Sequence, residues 1–99
     1  MDPRRTETAA WADVWLGLRV GSDIALANAI GREILAAGLE NRAFIERATV
    51  DIEAYRAKVE SYTLEVAERE TGVPAAAIRD LAHAFATAPR AMICWTLGI

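Results

Sequence analysis

The sequence predicts an α/β chain: a partial, doubly wound parallel sheet in a helix-rich segment, with about two strands and five or six helices. Three observations lead there. A continuous apolar run, "VWLGLRV" from Val14 to Val20, reads as a strand buried on both faces. A "GSD" turn and a long apolar helix follow it, and a second apolar run, "AMICWTL" from Ala91 to Leu97, closes the chain after further helices. Strand, helices and strand in that order imply a right-handed crossover and parallel pairing.

The chain opens on "DPRRT", where Asp2 and Pro3 form a turn: proline fixes φ and the aspartate side chain bonds the backbone that follows. Only Met1 precedes this turn, and the far end stops inside an apolar run. Both ends therefore read as cut, and residues 1–99 as one partial domain. Thr6 is placed to cap a helical turn over "ETAAWA". Ser22 and Asp23 open the helix "DIALANAIGREILAAG", which ends at Gly38. Its apolar residues Ile24, Leu26, Ala27, Ile30, Ile34 and Leu35 surround most of the axis, leaving Asn28, Arg32 and Glu33 as a polar stripe.

Short amphipathic helices fill the middle. Asn41 caps "RAFIERA", Asp51 caps "IEAYRAKVESY", and Thr63 begins "LEVAERET", closed by Gly72. Pro74 then starts a second long helix, in which Ile78, Leu81, Ala82 and Phe85 form one apolar stripe before Pro89.

The 99 residues carry a net charge of −3, with 54% hydrophobic and 25% charged residues, which fits a globular domain and not a disordered one. Scattered lysines and arginines among carboxylates argue against nucleic acid or anionic membrane as a partner. Cys94 is the single cysteine, so no internal disulfide or cysteine metal site can form, and its apolar surroundings predict a buried thiol. No stretch has the length of a membrane span or the shape of a signal peptide, so the chain reads as cytoplasmic, with the periplasm as the alternative should the missing N-terminus carry a targeting signal.

Candidate chemistry is sparse. His83 falls on a polar helix face with Arg79, Asp80 and Thr87 and reads as solvated; Glu65, Glu68 and Glu70 with Arg69 read as a locally paired, solvated face. Trp11, Trp15 and Trp95 read as core or interface packing. Binding is easier to argue, since ligands of open parallel sheets lie beyond the carboxyl ends of strands. Three segments would share that edge: the turn at Asp2 to Thr6, Gly21 to Asp23, and Thr96 to Ile99. An aspartate there can accept both N–H donors of a guanine edge, and a helix N-terminus with an arginine suits the attached phosphates. No glycine-rich phosphate loop is present.

The ordered stretches "DPRRTETAAWAD", "LRVGSDIALANAIGREIL", "TGVPAAAIRDLAHAFATAPRA" and "CWTLGI" resemble the catalytic (alpha) subunit of molybdopterin-dependent oxidoreductases. Within that family "GSDIALANAIG" and "TLGI" are most similar to formate dehydrogenases. The resemblance covers all 99 residues and implies an internal fragment of such a subunit. It implies that Asp2, Pro3, Arg4, Gly21, Ser22, Asp23, Leu97 and Gly98 lie against a molybdopterin guanine dinucleotide, with Asp23 the favoured guanine contact. It further implies formate oxidation to CO2 in the whole enzyme, with an iron–sulfur cluster and molybdenum or tungsten held outside this segment. The expected partners are the remainder of the catalytic subunit and electron-transfer subunits. The chain alone, lacking the metal ligand and catalytic residues, is expected to be inactive. The alternative from another class is a stand-alone helical interaction domain whose exposed apolar ends pair with a partner or a second copy.

Overall fold

A computed structural model describes residues 1–95. Among them there are six helices and no strand: α1 (Glu7–Trp11), α2 (Asp23–Ala36), α3 (Arg42–Ala48), α4 (Ile52–Val59), α5 (Leu64–Thr71) and α6 (Ala75–Thr87). The expected partial parallel sheet is therefore replaced by an all-helical arrangement. The reason lies in pairing, since a strand exists only where a neighbour completes its ladder. The segment from Val14 to Val20 is extended but borders a turn and a helix end instead. The Asp2 amide donates to the Leu16 carbonyl at 3.2 Å, and the Arg19 amide donates to the Thr71 carbonyl at 2.9 Å. Nor is the segment buried on both faces: Leu16 and Leu18 are buried, while Val14 and Val20 are 72% and 88% exposed. The second expected strand fails likewise over its described residues, 91–95, which adopt no regular structure and are exposed. Cys94, expected buried, is exposed for the same reason.

The helices follow local sequence closely. Thr6 accepts from the Ala9 amide, Asn41 from Phe44 and Thr63 from Val66, each as a side-chain N-cap. Two expected caps differ. Ser22 makes no cap bond to α2; its hydroxyl donates to the Arg19 carbonyl at 2.7 Å instead. Asp51 adopts a left-handed φ of 57° and leaves α4 without a side-chain cap. The start of α6 is held from outside, where the Glu68 carboxylate accepts from the Ala75 amide at 3.2 Å.

The core lies where α2, α5 and α6 meet and is closed by the extended segment. Leu16 and Leu18 pack with Leu26 and Ala29 of α2, Leu64 and Ala67 of α5, and Val73 and Ile78. Thr71 is fully buried, and its hydroxyl accepts from the Val73 amide at 3.0 Å. At the other end of α2, Arg32 donates to the Glu60 carbonyl and pairs with its carboxylate at 3.1 Å. Gly31 lets α4 approach α2, because a Cβ at that position would meet the Tyr55 hydroxyl and lie 3.2 Å from Tyr55 Cζ. The His83 side chain is 45% exposed, in line with a solvated histidine, and places Nε2 3.3 Å from the Glu33 carboxylate on α2.

Candidate functional site

The first turn of α2 and the last turn of α5 enclose an open cavity of about 390 Å³. Arg19, Gly21 and Ser22 line it from the extended segment, and Tyr62, Arg69 and Glu70 from the opposite side. The wall is built by Arg19. Its backbone amide bonds to Thr71, while Nη1 donates to the Arg69 carbonyl at 2.5 Å and to the Glu70 carbonyl at 3.4 Å. These acceptors belong to the end of α5, where helical carbonyls lack intrahelical partners and favour a cation.

Gly21 turns the chain from the extended segment into α2 with φ of +81°, a conformation that side-chain-bearing residues adopt at a cost. A Cβ built there meets nothing within 4 Å, so space beside this turn is open. Because the Ser22 hydroxyl is engaged with Arg19, the first amides of α2 receive no side-chain cap. Arg19, Arg69 and Glu70 are the charged residues among those lining the cavity, and the Arg19 guanidinium is engaged with the Arg69 and Glu70 carbonyls.

The sequence-expected site residues are only partly gathered. Gly21 and Ser22 line the cavity, whereas Asp23, one residue further on, is not among its lining residues. Asp2, Pro3 and Arg4 form a separate turn at the other end of the extended segment, next to Leu16. Four residues separate Leu16 from Gly21, a span of at most about 18 Å over five residue steps. Leu97 and Gly98 lie outside the described residues. Arg19 is not singled out by the sequence, and Arg69 reads there only as part of a locally paired, solvated face with Glu65, Glu68 and Glu70. Arg19 stands two residues before the Gly21 turn, which was the available signal, but nothing local links it to Arg69, 50 residues away.

A second hollow, of about 520 Å³, lies where α2 ends and α3 and α4 begin, with Glu40 on its wall. Glu40 pairs with Arg56 at 3.1 Å and Arg42 at 3.5 Å. Its own backbone amide, then the Arg56 bond, hold its carboxyl below the ordinary carboxylate value. Among the described residues, no three His, Cys, Asp or Glu side chains converge to hold a metal ion. No described helix is long and apolar enough to cross a membrane.

No protein-family model matches the chain. It is 45% identical over 98 residues to formate dehydrogenase H of Escherichia coli, covering 99% of this chain and 14% of that one. It is 38% identical over 98 residues to acetylene hydratase of Syntrophotalea acetylenica, covering 99% of this chain and 13% of the relative. The F420-dependent formate dehydrogenase 2 subunit alpha of Methanococcus maripaludis is 36% identical over 99 residues, the chain spanning 15% of it. The solved structure of acetylene hydratase from Pelobacter acetylenicus superposes with a TM-score of 0.91 at 39% identity, over 96% of this chain and 13% of that one. The chain is related to one segment of formate dehydrogenase-like catalytic chains. It spans 13–15% of the length of these curated relatives. A dehydrogenase and a hydratase share this segment, so the segment is common to chains named for different reactions.

Proposed function

We propose that this chain serves as one part of a molybdenum- or tungsten-dependent oxidoreductase of the formate dehydrogenase kind, forming part of the wall of a guanine dinucleotide site. The observation that carries this reading is the end-to-end similarity to relatives named for formate oxidation, at 36% to 45% identity. The cavity supports it: Arg19 and Arg69 supply positive charge for the diphosphate beside the open Gly21 turn. Asp23 and Asp2 are the carboxylates available to the guanine N–H donors, Asp23 being favoured.

Asp2, Pro3, Arg4, Gly21, Ser22 and Asp23, with Leu97 and Gly98, hold and orient the nucleotide in this reading. The bound cofactor supplies electron transfer at a metal carried elsewhere, and the described residues offer no ligand set for that metal. Sharing between a dehydrogenase and a hydratase fits a binding wall better than a reaction-selecting element. The remainder of a longer catalytic subunit, with its electron-transfer subunits, makes up the partners. That remainder also gives a use to the exposed Trp11, Val14, Val20 and Ile24.

Titration with GDP at low salt tests the proposal. Saturable binding that Asp23→Ala abolishes supports it. Absence of GDP binding by a chain whose helical circular dichroism and cooperative melting show it to be folded would refute it.

A further inference from the structure

The Asp2 peptide is tied from both sides: its amide donates to the Leu16 carbonyl, and its carbonyl accepts from Trp15 Nε1 at 2.9 Å. Its carboxylate is fixed as well, because Oδ1 accepts from the Arg4 amide at 2.7 Å. The Arg5 guanidinium lies 5.8 Å from the centroid of the Trp15 ring, within reach of a cation–π contact. Gly17 admits that ring, since a Cβ there would lie 2.8 Å from two of its carbons.

We infer that Trp15 is a positioning residue for the Asp2 turn: its indole N–H fixes the Asp2 carbonyl, and its ring, stacked by Arg5 over Gly17, presents the Asp2 carboxylate in one orientation. The inference rests on the reading that this turn touches a guanine nucleotide. A carboxylate already fixed loses less conformational freedom when a ligand docks, so removing the clasp weakens binding without removing any ligand contact. A mere loss of folded fraction lowers GDP and ADP binding together. A loosened guanine contact lowers GDP binding selectively.

The test is calorimetric titration of the whole chain with GDP and with ADP, for wild type, Trp15→Phe and Gly17→Ala. Trp15→Phe keeps a ring for Arg5 but removes the N–H. Gly17→Ala keeps the N–H but displaces the ring, and so stands in should Trp15→Phe fail to fold. Each is expected to weaken GDP binding roughly three- to tenfold, the loss of one hydrogen bond, and to lower the GDP-to-ADP affinity ratio with helical content unchanged. Wild-type GDP affinity and ratio in both variants would overturn the role of Trp15 alone. An unchanged ratio with both nucleotides weakened in proportion to lost folded fraction would overturn it as well. No GDP binding by wild type would instead overturn the nucleotide reading itself.

Discussion

Gly31→Ala is the sharpest probe of how α4 is seated. In a solvent-facing helix interior this change stabilises by about 1 kcal/mol, since alanine orders its backbone at less entropic cost. In this protein the added methyl would meet the Tyr55 hydroxyl and lie 3.2 Å from Cζ, so the ring must shift or α4 must move. Overpacking of this kind costs about 1–3 kcal/mol. The net expectation is destabilisation of about 0–2 kcal/mol, because Tyr55 is 42% exposed and has some room to give. With Tyr55 replaced by alanine, the obstacle is gone and Gly31→Ala should stabilise by about 1 kcal/mol. Urea denaturation of the four proteins, followed by helical circular dichroism, gives the coupling directly. If Gly31→Ala has the same effect in both backgrounds, within about 0.5 kcal/mol, Tyr55 does not occupy the space that Gly31 leaves.

Three further outcomes are expected. Thr71→Val should destabilise by about 1–3 kcal/mol, because it strands the buried Val73 amide, and Thr71→Ser should recover most of the loss; chemical denaturation measures both. Ser22→Ala should cost less than Thr63→Ala, the latter losing a true cap worth about 0.5–2 kcal/mol, as thermal melting of the two variants reports. Glu40 and Glu65 are held below their ordinary value of 4.5, each first by its own backbone amide, then by Arg56 and Thr63 respectively. Carboxyls lowered in the folded state contribute stability above pH 4.5 that is lost as pH falls through their folded values. Glu40→Gln should therefore flatten the decline of melting temperature below pH 4.5, and an unchanged decline would exclude Glu40 as a contributor.

What sequence could reveal here was local. Thr6, Asn41 and Thr63 cap helices because a cap is decided within three residues, and Gly72 ends α5 with a left-handed turn for the same reason. The run from Val14 to Val20 misled because an apolar extended segment becomes a strand only when a distant neighbour pairs with it. Leu16 and Leu18 keep the alternation of a strand while their burial comes from helices. Ser22 has a capping residue's chemistry, yet the Arg19 carbonyl, placed by the Gly21 turn, competes for its hydroxyl. The candidate site was half legible for the same reason. Its turns announce themselves through Asp2, Pro3, Gly21 and Asp23, whereas the Arg19 and Arg69 wall depends on the docking of α5.

That wall has a thermodynamic consequence. The Arg19 guanidinium reaches the Arg69 carbonyl 50 residues away, so the cavity forms only once the end of α5 has docked against the segment that precedes α2. A form in which α5 has come away from Arg19 cannot present it, so a molecule held there favours the docked, native arrangement. Occupancy is then linked to the unfolding of the whole chain: at a hundred times its dissociation constant such a molecule would add about 2.7 kcal/mol. A rise in melting temperature with added guanine nucleotide that Arg19→Ala removes is accordingly a reading of that cavity, obtainable without knowing the reaction in which the chain takes part.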